Sequence, residues 1–253
     1  MITVKTQEWE LKNIDTILFD KDGTFIDLHF FWGKMTELRC LEIIKFFGLE
    51  ETLFPKLCFH LGYDLQTKRM LSDGITALYS RSKIIEIFKD NLVQYGIKTS
   101  NDIIAKIFDD VSEIFYKNII EYTHPIEDAI CFIKQLRQRN LKLGIVTSDS
   151  IISTRLTLKH FGWENIFDVA IGREDSVETK ESGALTKLAL EKLAANPETT
   201  IMIGDAPMDY ISAINAGIKR TILVETGQLT IEELKKTSNF TVKTLKEIEI
   251  LSS

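Results

Sequence analysis

The stretch Thr16-Ile17-Leu18-Phe19-Asp20-Lys21-Asp22-Gly23-Thr24 constrains the fold more than any other part of the chain. An apolar run stops abruptly at two carboxylates one residue apart, followed by glycine and threonine. Such a run, ended by turn residues, reads as a buried strand of a parallel sheet. In open parallel sheets, chemistry gathers beyond the carboxyl ends of the strands. Asp20 is therefore expected at the strand tip and Asp22 one step into the loop, with Gly23 letting the backbone turn. Two carboxylates this close repel unless a proton or cation intervenes. That points to a hard cation with oxygen ligands, Mg2+ first among them. The same residues also suit a plain β-turn whose aspartates accept from local backbone donors, so the choice falls to the rest of the chain.

From Pro125 onward the sequence alternates between two periods. Residues 126–140 read as a helix and 141–146 as a strand ending in Thr147-Ser148-Asp149. A helix over 152–161 is closed by Gly162, and a strand follows at 168–171. Next come a helix over 182–195, a strand at 200–203 ending in Gly204-Asp205, and a helix over 210–216 closed by Gly217. A last strand, 221–224, leads into Gly227 and a polar C-terminal region. This rhythm predicts βαβ units and a parallel sheet.

Between these parts, from Lys34 to about Tyr122, the pattern is helical throughout. One periodic stretch ends near Gly48 and another, Ile84 to Tyr95, stops at Gly96. A third, from Ile103 to Phe115, starts after Ser100-Asn101, a suitable helix cap. The expected organisation is an α/β, Rossmann-like doubly wound parallel-sheet core (1–27 and 125–253) with an inserted α-helical cap domain (28–124). The insert begins directly after the aspartate loop, where it is placed to act as a lid. Phe46, Phe47, Phe88, Phe108 and Phe115 fall at helical spacing and are expected in the cap's core.

A chain of 253 residues has room for such a core and insert. Its net charge of −6 argues against a nucleic-acid partner held by phosphate contacts. The first twelve residues are polar and mixed in charge, unlike a signal peptide. No stretch approaches the ~20 apolar residues that span a bilayer. Cys40, Cys58 and Cys131 are scattered in apolar surroundings and read as buried thiols in a reducing compartment. The expected setting is cytoplasmic, with no membrane partner. His29, His60, His124 and His160 show no ligand spacing, and His29 stands out only for following the aspartate loop closely.

Each later strand ending supplies a different chemical need. Thr147 and Ser148 offer hydroxyls and amides to an anion, and Lys180 offers a compact positive charge. Asp205 and Asp209 offer two more carboxylates, and a site with four aspartates needs a cation to receive an anionic substrate. In this order the elements resemble the haloacid dehalogenase-like superfamily, in particular its phosphoglycolate-phosphatase-like members with a helical cap. The resemblance runs through Asp20-Lys21-Asp22-Gly23-Thr24, Thr147, Lys180 and Gly204-Asp205 with Asp209, and covers nearly the whole chain. One departure is Glu181, where the family usually has proline after the lysine.

The resemblance implies an Mg2+-dependent phosphatase that acts on a small phosphorylated metabolite, as a monomer or homodimer. Asp20 would be the nucleophile that forms an aspartyl-phosphate, and Asp22 the general acid and then base. Mg2+ would be held by Asp20, the backbone carbonyl of Asp22, Asp205 and, directly or through a neighbour, Asp209. Thr147, Ser148 and Lys180 would bind the phosphoryl oxygens, while Thr24 would order the loop. Asp22 argues against a dehalogenase, which lacks that second aspartate. A sugar phosphomutase shares all four signatures and stays open, as does a non-catalytic phosphate-binding protein. Substrate choice would reside in the cap, with His29, Trp32, Arg69 and Arg81 as candidate contacts.

Overall fold

The computed structural model describes residues 1–252. The chain divides into two compact units, Met1–Asp27 with His124–Ser253, and Leu28–Thr123.

The first unit is built on two sheets. Strands β1 (Ile2–Lys5) and β2 (Glu10–Ile14) precede β3 (Thr16–Phe19). After the insert come α6 (Glu127–Arg137), β6 (Lys142–Val146), α7 (Ile151–His160) and β7 (Val169–Ile171). Then follow α8 (Ala184–Lys192), β8 (Thr200–Gly204), α9 (Pro207–Asn215) and β9 (Thr221–Val224). The unit finishes with α10 (Ile231–Leu234), β10 (Phe240–Val242) and β11 (Glu249–Ser252).

Six strands form the main sheet in the order β10-β9-β8-β3-β6-β7, all pairs parallel. All of β3 and β9, and all of β6 except Lys142, is buried, as a sheet covered by helices on both faces requires. From β3 the chain moves outward through β6 to β7, then returns to the other side of β3 for β8, β9 and β10. The order therefore reverses between β3 and β8, and that crevice is where open α/β sheets bind ligands. Under α8 and α9, Leu18, Val146, Ile171, Leu185, Ala189, Met202 and Ala213 pack into one apolar cluster.

The termini differ from the sequence expectation. The N-terminal residues and the polar C-terminal region form a second, three-stranded antiparallel sheet, β11-β1-β2. Ile2 and Val4 are buried in it, and Leu11 and Ile14 with them. The strands are short and their alternation is broken by a register shift between Ile2 and Val4, which leaves little periodic signal. The predicted helices hold their places with shifted ends; α9 begins at Pro207, where proline serves as a first-turn residue.

The second unit contains α1 (Leu28–Phe47), α2 (Phe54–His60), α3 (Ile75–Leu78), α4 (Arg81–Leu92) and α5 (Asn101–Lys117). The Ser100 hydroxyl accepts from the Ile103 amide and caps α5, as the sequence predicts. The helices are joined by a feature the periodicity did not reveal, a short hairpin whose strands, β4 (Tyr63–Asp64) and β5 (Arg69–Met70), have two residues each. The core of this unit contains Cys40, Ile43, Leu57, Cys58, Phe88 and Phe108. Phe115 is also fully buried and Phe47 is partly buried against the core, but Phe46 is 56% exposed. It lies just off the face that carries Ile43 and Phe47, and its ring packs edge-on against that of Phe47. Cys131 is likewise exposed, on the far side of α6 from Ile130, Ile133 and Leu136. Cys40 and Cys58 are buried as expected. Among the described residues, no helix is long and apolar enough to cross a membrane.

Candidate active site

The Asp20 amide donates to the Ile203 carbonyl at 2.8 Å, so pairing of β3 with β8 continues to the first aspartate. Gly23 then turns the chain with φ 90°, and the Lys21 carbonyl accepts from the amides of Thr24, Phe25 and Ile26. This fixes Asp20 and Asp22 at the tip of β3, both less than a tenth exposed. Asp205 directly follows β8, and Asp209 lies in the first turn of α9. One carboxylate oxygen from each of Asp20, Asp205 and Asp209 lies within 4.8 Å of the others, all in buried residues.

Glycines make room for this cluster. A Cβ on Gly23 or Gly227 would collide with the Asp205 carboxylate, and one on Gly204 with that of Asp209. Asp205 is thus held between the loop after β3 and the loop after β9. The same two loops are tied by the Thr226 hydroxyl, which donates to the Gly23 carbonyl at 2.5 Å.

Lys180 lies in a short 3-10 turn, Lys180–Ser182, and is 4% exposed. Its ammonium stands 2.5 Å from Asp20 Oδ1 and 2.6 Å from Asp209 Oδ1. The turn is anchored without the family's proline: Asn215, at the end of α9, donates its side-chain amide to the Glu181 carbonyl at 2.7 Å. Asp209 also accepts from the Ala206 amide at 3.1 Å. Lys187 and Lys192, the neighbouring lysines, are exposed.

The electrostatics follow from crowding. Burial pushes the Asp20 carboxyl up to about 7, opposed by Lys180 and reinforced by Asp209 and Asp22. Burial, with Asp20 and Asp209, holds the Asp205 carboxyl well above the usual carboxylate range. Burial works to lower Lys180, but the charges of Asp20 and Asp209 outweigh it and the net shift is upward. An oxygen-lined, buried, proton-hungry cluster of three carboxylates is the donor set a hard divalent cation requires. The residues present therefore fit Mg2+.

Thr147 directly follows β6, the neighbour of β3 on the side away from β8. It is 2% exposed, its amide donates to the Ile171 carbonyl, and its hydroxyl accepts from the Asp149 amide at 3.1 Å. Ser148 is exposed, with its hydroxyl 3.5 Å from the Met208 sulfur. Two residues that sequence reasoning passed over sit between these loops. The Lys21 side chain is fully buried, 2.5 Å from Asp22 Oδ1 and 3.1 Å from Asp149 Oδ2. Its signal was present in the sequence: a lysine beside a buried strand end must find carboxylates, and Asp149 ends the neighbouring strand.

The four cap candidates belong to the second unit. His29 and Trp32 are half-buried on α1; His29 Nδ1 accepts from the Met70 amide at 3.1 Å, and Trp32 packs edge-on to Phe31. Arg69 is exposed on β5, opposite Asp64. Arg81 opens α4 and pairs with Asp109 at 2.6 Å, so it serves the packing of α4 beside α5. The remaining histidines are not clustered: His60 lies 2.9 Å from the Tyr95 hydroxyl, while His124 and His160 are exposed.

The fold belongs to a known class. A family model described as haloacid dehalogenase-like hydrolase matches residues 67–224. The chain is a member of that family. A candidate pyrophosphatase, PpaX, of Caldanaerobacter subterraneus subsp. tengcongensis is 29% identical over 226 residues, 88% of this chain and 87% of that protein. A phosphoglycolate phosphatase of Aquifex aeolicus is 25% identical over 206 residues, 81% of this chain and 83% of that protein. Among solved structures, a predicted phosphoglycolate phosphatase of Haemophilus somnus superposes with TM-score 0.69 at 16% identity, covering 94% of this chain and 97% of that one. At that identity the superposition speaks to the fold alone.

Proposed function

We propose that the protein is an Mg2+-dependent phosphatase that hydrolyses a small-molecule phosphate monoester through an aspartyl-phosphate on Asp20. The observation that carries this reading is the contact of Lys180 with both Asp20 and Asp209 beside the carboxylate cluster. A buried nucleophilic carboxylate needs a fixed cation to stay ionised, and a transferring phosphoryl group needs the same cation for its oxygens.

In this reading Asp20, Asp205, Asp209 and the Asp22 carbonyl hold the metal, which when bound neutralises the charge of the incoming phosphoryl group. Asp20 attacks phosphorus, and the bond from phosphorus to the ester oxygen breaks. Asp22 gives its proton to that oxygen, and the alcohol departs. Asp22, now ionised, takes a proton from water as the water attacks phosphorus and frees Asp20. Lys180 and the Thr147 hydroxyl bind the phosphoryl oxygens, with Ser148 at the exposed rim of the same loop. The inserted helical unit, Leu28–Thr123, is read as the cap, and the choice of substrate is assigned to it. His29, Trp32 and Arg69 remain candidates for that choice; Arg81, already paired with Asp109, is the weakest of the four. The enzyme would work on a soluble metabolite in the cytoplasm.

A second reading is favoured by a specific finding. Several curated relatives are named pyrophosphatases, among them that of Halalkalibacterium halodurans, 25% identical over 210 residues. Pyrophosphate offers the same terminal phosphoryl group with a phosphate as leaving group, and the same residues would serve. Phosphate release from a panel of esters and from pyrophosphate, with Mg2+ and with EDTA, tests both readings against an Asp20→Asn blank. Mg2+-dependent release that vanishes in the blank supports the phosphatase, and the ranking chooses between ester and pyrophosphate. Release unchanged in the blank overturns the mechanism. No release from any compound shifts weight to a sugar phosphomutase or a phosphate-binding protein.

A further inference from the structure

Lys21 stands between the two proposed active aspartates in sequence, yet contributes to neither the metal cluster nor the phosphoryl site. Its side chain is fully buried, and a lysine is sent there only when carboxylates meet it. It meets two. One is Asp22 Oδ1 at 2.5 Å, on its own loop; the other is Asp149 Oδ2 at 3.1 Å, on the loop after β6. Both carboxylates lie within ion-pair distance of the ammonium.

Asp149 is itself fixed. Its Oδ1 accepts from the Ser150 amide at 2.7 Å, its carbonyl accepts from the Arg173 amide at 3.0 Å, and its own amide donates to the Thr147 hydroxyl at 3.1 Å. Asp149 Oδ2 faces the Lys21 ammonium at 3.1 Å. A rigid chain therefore runs from Thr147 through Asp149 and Lys21 to Asp22. On the Lys21 side it is backed by the three amides that the Lys21 carbonyl accepts.

We infer that Lys21, anchored by Asp149, is a positioning residue that holds the Asp22 carboxylate in place for proton transfer and locks it in register with the Thr147 loop. This rests on the phosphatase reading and the acid role it gives to Asp22. Lys21 touches no substrate. Its effect falls on the step in which Asp22 delivers a proton, and that step matters most when the leaving group is a poor one.

The test compares wild type, Lys21→Met, Lys21→Arg and the pair Lys21→Met with Asp149→Asn, using an alkyl phosphate and p-nitrophenyl phosphate. The alkoxide needs a proton to leave and the nitrophenolate does not. Lys21→Met should lose about 100-fold in kcat on the alkyl ester, the scale of a lost general acid, and only a few-fold on the aryl ester. KM and the Mg2+ midpoint should stay unchanged, and Lys21→Arg should recover part of the loss. The paired variant removes both buried charges together, so it keeps the test open if the single variant does not fold; it should show the same selective loss. Equal losses on both esters, or a shifted Mg2+ midpoint, would reduce Lys21 to a packing role and overturn the inference. No release by the wild-type protein would instead overturn the phosphatase reading and take this inference with it.

Discussion

At the scale of single residues, the carboxylates at the strand ends were legible before any fold was known. A buried strand that stops at Asp20, and another that stops at Asp205, place charge where a sheet leaves it exposed to ligand. What sequence could not supply was which partner each group takes. Lys180 was readable as a cation near the site, but its simultaneous hold on Asp20 and Asp209 depends on a turn braced by Asn215 from another helix. Lys21 carried a signal, as a lysine beside a buried strand end, but its choice of Asp149 joins loops 128 positions apart in the chain. Two outcomes belong here. Asp20→Asn should abolish turnover with the circular dichroism spectrum unchanged. Asp22→Asn should lose 100-fold or more in kcat on alkyl esters, a general acid's usual worth. Near-normal rates in either variant would remove the role assigned to it. The raised Asp20 carboxyl adds a pH dependence. Mg2+ must displace its proton, so the apparent Mg2+ affinity should rise with pH and level off above about 7. Calorimetric titration with Mg2+ at several pH values, without substrate, reads it directly.

Secondary-structure elements were legible where they were long and periodic, and obscure where they were short. Helices α4, α5 and α6 carry clear apolar faces, and the central strands are continuous apolar runs. Strands β1, β2 and β11 have four or five residues each, and β1 pairs with β2 in a shifted register, so neither period emerges from them. The loops that end the central strands matter more to the site than their lengths suggest. Asp205 is gripped between two glycine-bearing loops, and a methyl group on either would push its carboxylate aside. Gly227→Ala should therefore weaken Mg2+ binding by about 10- to 100-fold, the range seen when a ligand's supporting shell is disturbed. Its thermal midpoint in EDTA should barely move. An unchanged Mg2+ midpoint would show that the loop yields and that the grip is not needed.

For the whole molecule, the carboxylate cluster is a cost until a cation enters. The folded protein holds the Asp20 proton more tightly than the unfolded chain, whose carboxyl has its ordinary value of 3.8. In EDTA this contribution is fully present below about 3.8 and is lost as pH rises toward 7. In the proposed reading Mg2+ would bind only the folded form and should reverse the trend, adding about 2.7 kcal/mol when present at a hundred times its dissociation constant. Asp205→Asn should remove most of that gain while raising stability in EDTA, because one of the crowded acids no longer needs a proton. Thermal melts of both proteins across pH, with EDTA and with Mg2+, check this. A wild-type midpoint indifferent to Mg2+ would mean that the cluster holds no such ion.

The placement of β3 also bears on how the protein is made. Its two neighbours in the sheet, β6 and β8, begin at Lys142 and Thr200, while β3 itself ends at Phe19. During synthesis the run Ile17-Leu18-Phe19 leaves the ribosome more than a hundred residues before anything exists to pair with it. Such a strand, apolar and with both edges open, invites association with other chains until its partners arrive. The helices of 28–117 complete a compact body of their own in that interval. The carboxylate cluster cannot form until Asp209 has emerged, so a nascent chain halted before it should show no protection by Mg2+ against protease. The carboxylate cluster and the second edge pairing of β3 thus both wait for β8 and the residues just after it.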